Sequence, residues 1–407
     1  MTAVATGHPL RHQRFALLAA ARTISVFGNG LGPLALTFAV LGLPDGSPAA
    51  LSVVLAALAV PRLALLLFGG VVGDRWPRYR VLVVAELAGG AAYAAMAALT
   101  LSHRATAPAL AACAVLAGAA SALLLPSLTG VVAEVVPEPD RQSANSLLRL
   151  GTNGATIAGF LVGGLIVARL GPGWALAADA VTFVAAAILL TLLRLPPAAK
   201  STGRNLIGEL RQGWHEFTRR QWLWTVVSAA AFINAAVGVT FGLAGPVLAK
   251  DRLGGAAAWS WVLAGYAAGT LGGVLIAMRV RPAHPLRVAV VTATGLGLPA
   301  LLLGLGAPVP LVVAGAVLAG VAFDVFGVLW ETTFQREVPA SALSRVSAYE
   351  WVGAIGLGPV ALLAAGPIVA TAGAAPLLLG LAGLIALAGL ATLASPDVRR
   401  YRPEVRT

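Results

Sequence analysis

Gly70-Val71-Val72-Gly73-Asp74-Arg75-Trp76-Pro77-Arg78-Tyr79-Arg80 is a compact charged turn between two long apolar runs. Before it, residues 49–73 are almost wholly apolar, and after it residues 81–101 are again. Each run is as long as the ~20 residues a helix needs to cross the hydrocarbon core. One acid and three arginines packed into a turn at that boundary mark a membrane edge. They do not read as a soluble active site.

The rest of the chain agrees. Of 407 residues, 58% are hydrophobic and 11% charged, and mean hydropathy is +0.87; soluble domains carry roughly 25% charged residues. Lipid is therefore the expected solvent. The net charge of +12 does not mark a nucleic-acid binder, because its cations are spread over many short loops rather than gathered in one footprint. No His/Cys/carboxylate metal spacing and no G-x-x-x-x-G-K-[ST] phosphate loop is present. The expectation is a non-enzyme without cofactor or metal that does not hydrolyse ATP. Cys113 is the only cysteine, which excludes an intrachain disulfide. Residues 1–14 are polar and basic, and the apolar run after them is longer than a signal-peptide core of ~7–15 residues. Of the 28 basic side chains only Lys200 and Lys250 are lysine, a bias that suggests a GC-rich bacterial genome.

Twelve spans are expected, at 15–43, 49–73, 81–101, 107–135, 145–168, 173–195, 222–249, 256–278, 288–305, 309–334, 346–369 and 374–394. Arginines crowd one side of this ladder, from Arg11 and Arg14 through Arg75–Arg80, Arg141, Arg194–Arg220, Arg279–Arg287, Arg336 and Arg345 to Arg399–Arg406. The other side holds Arg104, Arg169, Lys250 and Arg252. The positive-inside rule then places both termini and the central segment in the cytoplasm. The chain also repeats itself. Gly69-Gly70-Val71-Val72 with Arg80-Val81 returns as Gly272-Gly273-Val274-Leu275 with Arg287-Val288. Likewise Val136-Pro137 with Arg141-Gln142-Ser143-Ala144 returns as Val338-Pro339 with Arg345-Val346-Ser347-Ala348. Parallel six-span halves are a transporter plan with the substrate site at midplane. The expected divisions are a first bundle (1–195), a cytoplasmic linker with an amphipathic helix (196–221) and a second bundle with a tail (222–407). In the linker, Leu206, Leu210, Trp214 and Phe217 share one helical face.

These residues resemble the major facilitator superfamily over essentially the whole chain. The opening stretch is similar to that family's G-x-x-x-D-R-x-G-R-R loop, with Pro77 in place of the second glycine and Tyr79 interrupting the basic pair. Ala155 to Gly164 resembles the antiporter motif G-x-x-x-G-P-x-x-G-G, with Phe160 in place of proline and Ala155 in place of the first glycine. Near Gly118 the fourth-helix arginine of proton-coupled drug antiporters is missing. Asn145-Ser146-Leu147, Trp174 and Asp179-Ala180-Val181-Thr182-Phe183 are more similar to the enterobactin-exporter-like and macrolide-efflux-like bacterial subgroup. The resemblance implies an all-α membrane protein with twelve transmembrane helices in two pseudo-symmetric six-helix bundles. It implies an inner-membrane exporter, working as a monomer, that moves a small amphipathic molecule by alternating access in exchange for protons. A facilitator or uptake carrier, or a lipid-moving protein of the same fold, are the alternatives.

Several side chains stand out on this frame. Asp74 with Arg75, Arg78 and Arg80 suits a gate that pairs only when the cytoplasmic side is closed, with a carboxylate set against a helix N-terminus; Glu350 and Arg345 suit its counterpart in the second half. Arg62 lies twelve residues before Asp74, ~18 Å along a helix, a depth at which a charge normally faces a partner or an aqueous path. Arg22 and Glu86 lie at similar depths and suit a pair across helices. Asp324, flanked by Phe323 and Phe326, is expected near midplane, as a proton-coupling or substrate-binding group or as a structural hydrogen bonder. Asp179 is expected nearer the outer face, with a structural role foremost. Asn29, Asn153 and Asn234 are candidates for the few polar contacts of an otherwise apolar cavity.

Overall fold

A computed structural model describes residues 12–75, 78–136, 140–193, 206–339 and 342–401, without the side chains of 66–75, 78–79, 125–134, 206–210 and 344. Twelve helices are long and apolar enough to cross a membrane. The first six are α1 (Gln13–Leu41), α2 (Pro48–Arg75), α3 (Arg78–Leu101), α4 (Ala107–Val135), α5 (Arg141–Leu170) and α6 (Pro172–Leu192). A short α7 (Leu206–Thr218) follows. The seventh span, Gln221–Leu253, combines α8 (Gln221–Val239), α9 (Gly245–Leu248) and two π-helical turns. The rest are α10 (Ala256–Ala277), α11 (Pro285–Thr294) continued by α12 (Leu298–Gly304), α13 (Val309–Glu337), α14 (Leu343–Ile355) continued by α15 (Gly358–Ala372), and α16 (Ala374–Ala394). A last turn, α17, spans Pro396–Arg399. The described residues contain no strand. In lipid that is required, because a helix satisfies its own backbone.

All twelve expected spans are present, most within a few residues of the stated limits. The fifth begins at Arg141, one turn earlier than expected, which brings Arg141 itself into the helix. The sequence repeat has a backbone counterpart. Gly171, between α5 and α6, has φ 94° and ψ 165°; Gly373, 202 positions later between α15 and α16, has φ 90° and ψ 163°. His103 before α4 has φ 57°, and Gly306, 203 positions later before α13, has φ 71°. Left-handed turns recur at the repeat offset, and at one of them this chain tolerates a histidine where only glycine adopts the geometry freely.

Contacts divide the chain into two compact units, Met1–Gly46 with Ala57–Thr202, and Gly203–Thr407 with Ser47–Ala56. In the first, α1 packs on α5 and α6, and α3 on α4 and α6. Glycine sets the closest of these approaches: a methyl on Gly159 would lie 2.3 Å from the Phe27 carbonyl oxygen, and one on Gly30 would lie 2.8 Å from the Gly159 backbone. Small residues that bring backbones together replace the hydrophobic drive that lipid removes. In the second unit, α10 and α13 meet the same way, with Gly269 against Val317 and Gly320 against Tyr266.

The linker helix, α7, rests part of its apolar face on the second unit. Phe217 is buried, Trp214 stacks on it at 5.9 Å, and both reach Tyr349 of α14, at 5.4 Å from Trp214 and 6.3 Å from Phe217. Phe217 is thus covered by protein of the second unit, while Trp214 stays 53% exposed. Leu206 and Leu210 lie outside the described side chains.

Candidate functional site: a buried acidic seam

In the first unit, polar side chains from α1, α3 and α6 meet in a seam that helical spacing builds. On α1, Arg22, Ser25, Gly28 and Gly32 follow at intervals of three or four, which stacks them on one face. Glu86 and Tyr93, seven apart, do the same on α3, as Asp179, Thr182 and Phe183 do on α6.

Glu86 is 1% exposed and accepts a hydrogen bond from Ser25 Oγ, at 2.9 Å to Oε1 and 3.3 Å to Oε2. The expected Arg22–Glu86 ion pair does not form: the two interact electrostatically, but no ion pair within 4 Å joins them. Ser25, one turn along α1, takes the position that the pair would occupy. A serine so placed gives the buried carboxylate a donor without closing it into a salt bridge.

Asp179, the eighth residue of α6, is fully buried. Its Oδ1 lies 3.2 Å from Thr182 Oγ1, and Oδ2 has no hydrogen-bond partner among the described residues. The threonine hydroxyl also lies 2.7 Å from the Asp179 carbonyl oxygen. A hydroxyl has one proton, so donating it along the shorter contact leaves the carboxyl without a donor. Two glycines of α1 hold the group in place: a methyl on Gly32 would fall 2.0 Å from Oδ2, and one on Gly28 would fall 2.2 Å from Oδ1. Tyr93 stands against Gly32 and stacks on Phe183 at 5.5 Å. Asp179 interacts electrostatically with both Glu86 and Tyr93, and Tyr93 with Arg62. Arg62 itself is exposed on α2, just after Pro61.

The second unit arranges its charges differently. Glu350 on α14 accepts from Trp330 Nε1 at 3.1 Å. Glu331 accepts from Gln335 at 2.5 Å, and Glu337 from the Tyr401 hydroxyl. Arg345 donates to Gln212 of the linker helix at 3.1 Å. Asp324 is half-buried on α13 with its Cβ against Gly273 of α10, and it acts on Tyr266. Trp222, Phe326, Trp330 and Phe334 form an aromatic run beside Glu350. Asn234 does not serve a cavity: its Nδ2 donates to the Ala354 carbonyl at 3.1 Å and braces α8 against α14. Asn29 is exposed on α1 and Asn153 half-buried on α5. Arg80 is exposed at the start of α3, while the side chains of Asp74, Arg75 and Arg78 lie outside the described residues.

Ser25, Tyr93, Thr182, Gly28 and Gly32 join the site although none was a candidate. Their signal was present in the spacing: Ser25 and Thr182 stand three residues after Arg22 and Asp179, Tyr93 seven after Glu86, and Gly28 and Gly32 follow Ser25 at steps of three and four. Among the described residues no cluster of His, Cys, Asp and Glu could hold a metal ion.

Twelve apolar spans, a repeat at half length and buried charges inside a helical bundle together define a multi-pass membrane transporter rather than an enzyme. Residues 15–349 match the Major Facilitator Superfamily, and the chain belongs to that family. It is 27% identical over 403 residues to the multidrug efflux pump Tap of Mycobacterium tuberculosis, covering 94% of this chain and 93% of that one. It is 30% identical over 300 residues to a chloramphenicol resistance protein of Streptomyces lividans, covering 72% of each. The fold is also that of a variant of the nucleoside transporter NupG (TM-score 0.78, 15% identity, 94% and 99% of the two chains). A bacterial homologue of the iron transporter ferroportin gives a TM-score of 0.75 at 16% identity, over 94% and 98%.

Proposed function

We propose that this transporter exports a small amphipathic molecule from the bacterial cytoplasm, across the inner membrane, in exchange for protons. The observation that carries the coupling is Asp179: a fully buried carboxyl with one oxygen unpartnered and the neighbouring hydroxyl proton drawn elsewhere. A charged carboxylate in that setting is costly, whereas a protonated one can donate to Thr182 Oγ1 at 3.2 Å. Asp179 takes up and releases the proton. Glu86, held by Ser25 and facing Arg22, is the second acid of the relay, and Arg62 beyond Tyr93 stabilises the charged state. Asp324 is the corresponding candidate of the second unit. The export direction and substrate class rest on the relatives named for drug efflux and chloramphenicol resistance. Asp74, Arg75, Arg78 and Arg80, with Arg345 and Glu350, act as the cytoplasmic gate. Both termini face the cytoplasm, and one chain suffices for a transport cycle.

The test is efflux of antibiotics and dyes from everted vesicles, with and without a proton gradient, for wild type, Asp179→Asn and Asp324→Asn. Gradient-driven movement lost in Asp179→Asn supports the reading. Movement that ignores both the gradient and the substitution overturns proton coupling and leaves a facilitator.

A further inference from the structure

The second unit carries a basic hollow that none of this transport chemistry uses. His284, Arg287, Arg399 and Arg400 line a cavity of about 420 Å³, within the size range of small-molecule sites. His284 and Arg287 belong to the start of α11, and Arg399 and Arg400 to the turn that follows α16. The cavity therefore lies where two spanning segments end, at the level of the membrane surface.

The tail is fixed there by specific contacts. Val398 is fully buried in an apolar cluster with Leu223, Leu286 and Trp330. Tyr401 donates its hydroxyl to Glu337, and its carbonyl oxygen lies 3.1 Å from His284 Nδ1. These contacts hold Arg399 and Arg400 beside Arg287. Among the described residues no carboxylate stands within 4 Å of any of the three arginines, and Asp397, on the same turn, is exposed. Among the described residues, three guanidinium groups are thus gathered without a carboxylate partner. Each presents a fork of donors that suits phosphate oxygens.

We infer that this cradle binds the phosphate of an anionic phospholipid headgroup. Its position favours a lipid over a soluble phosphate, because basic pockets at the cytoplasmic ends of spanning helices hold such headgroups. Guanidinium charge is permanent near neutral pH, so occupancy follows lipid composition rather than pH. The bound lipid would hold the tail against α11.

The full chain, purified from membranes or reconstituted into discs of phosphatidylcholine with or without phosphatidylglycerol, tests this. Lipid retained by the intact protein is counted by native mass spectrometry. Wild type should retain phosphatidylglycerol, with retention about fivefold weaker for each of Arg287→Gln, Arg399→Gln and Arg400→Gln. Arg279→Gln with Arg281→Gln, on the same side outside the cradle, should leave it unchanged. Equal loss in the control pair overturns the inference, reducing the effect to general surface charge. Binding of inorganic phosphate without retention of phosphatidylglycerol also overturns it, in favour of a soluble ligand.

Discussion

The two units bury different polar chemistry. In the first, Glu86 and Asp179 are buried carboxylates in the middle of spanning helices. In the second, the buried polar side chains described are hydroxyls, Ser52, Thr240, Ser260, Thr333 and Thr392. Each of these donates to a carbonyl of its own helix three or four residues back, so each is self-sufficient. Three acids of the second unit, Glu331, Glu337 and Glu350, have neutral donors from Gln335, Tyr401 and Trp330. The first unit thus keeps one buried acid, Asp179, with an oxygen that no described donor serves. An acid left short of donors has reason to exchange a proton, and one that is fully served has none.

The strongest break of this comparison is Asp179→Asn, expected to reduce gradient-driven efflux on the order of 100-fold, near the top of the range for a coupling free energy. Asp324→Asn should do less. Equal losses in the two variants would erase the distinction between the units. Packing tests the same contrast. Gly32→Ala places a methyl 2.0 Å from Asp179 Oδ2 and should destabilise the protein by ~1–3 kcal/mol. Gly327→Ala, with nothing within 4 Å of the added methyl, should stabilise α13 by roughly 0.5–1 kcal/mol. Thermal melting in detergent reads both, and a neutral Gly32→Ala would show that the seam can relax.

Ser25→Ala strands the Glu86 carboxylate and should cost ~1–3 kcal/mol, whereas Tyr401→Phe removes only a hydroxyl donor to the half-buried Glu337 and should cost ~1 kcal/mol. Reversal of that order would place the sensitive acid in the second unit. The smallest effect belongs to the linker helix. There Glu216 accepts a 2.8 Å hydrogen bond from Arg220, which holds its carboxyl below the usual carboxylate range, aided by the charges of Arg220, Arg219 and His215. A depressed folded value means that this contribution is present above the unfolded value of ~4.3 and fades as pH falls through the folded one. Because a surface pair contributes little even where it is fully charged, Glu216→Gln should leave the neutral-pH melting temperature within error. A drop of several degrees would show that α7 supports the second unit through charge as well as through Trp214 and Phe217.

Much of the fold was legible in the chain. Spans follow from apolar run length, and the repeated loop residues announced a duplication that the left-handed turns at Gly171 and Gly373 repeat in backbone geometry. Glu86, Asp179, Arg22 and Arg62 were legible as costly intramembrane charges. Their partners were not. Hydropathy treats Ser25 and Gly32 as unremarkable helix residues, and only the angular overlay of α1, α3 and α6 turns them into the donor and the floor of the seam. The amphipathic pattern of 206–217 gave an apolar face but could not say whether lipid or protein covers it. Asn234 looked available and is occupied, because its partner, the Ala354 carbonyl, lies 120 residues away in sequence.

By itself the sequence determined the membrane as solvent, the number of spans, the duplication and which charges are expensive. These depend on composition and on periodicity along one strand of chain. Which acid is left short of donors was decided by tertiary structure alone. That depends on which faces of three separate helices meet, and on two glycines that let a carboxyl approach where any side chain would exclude it.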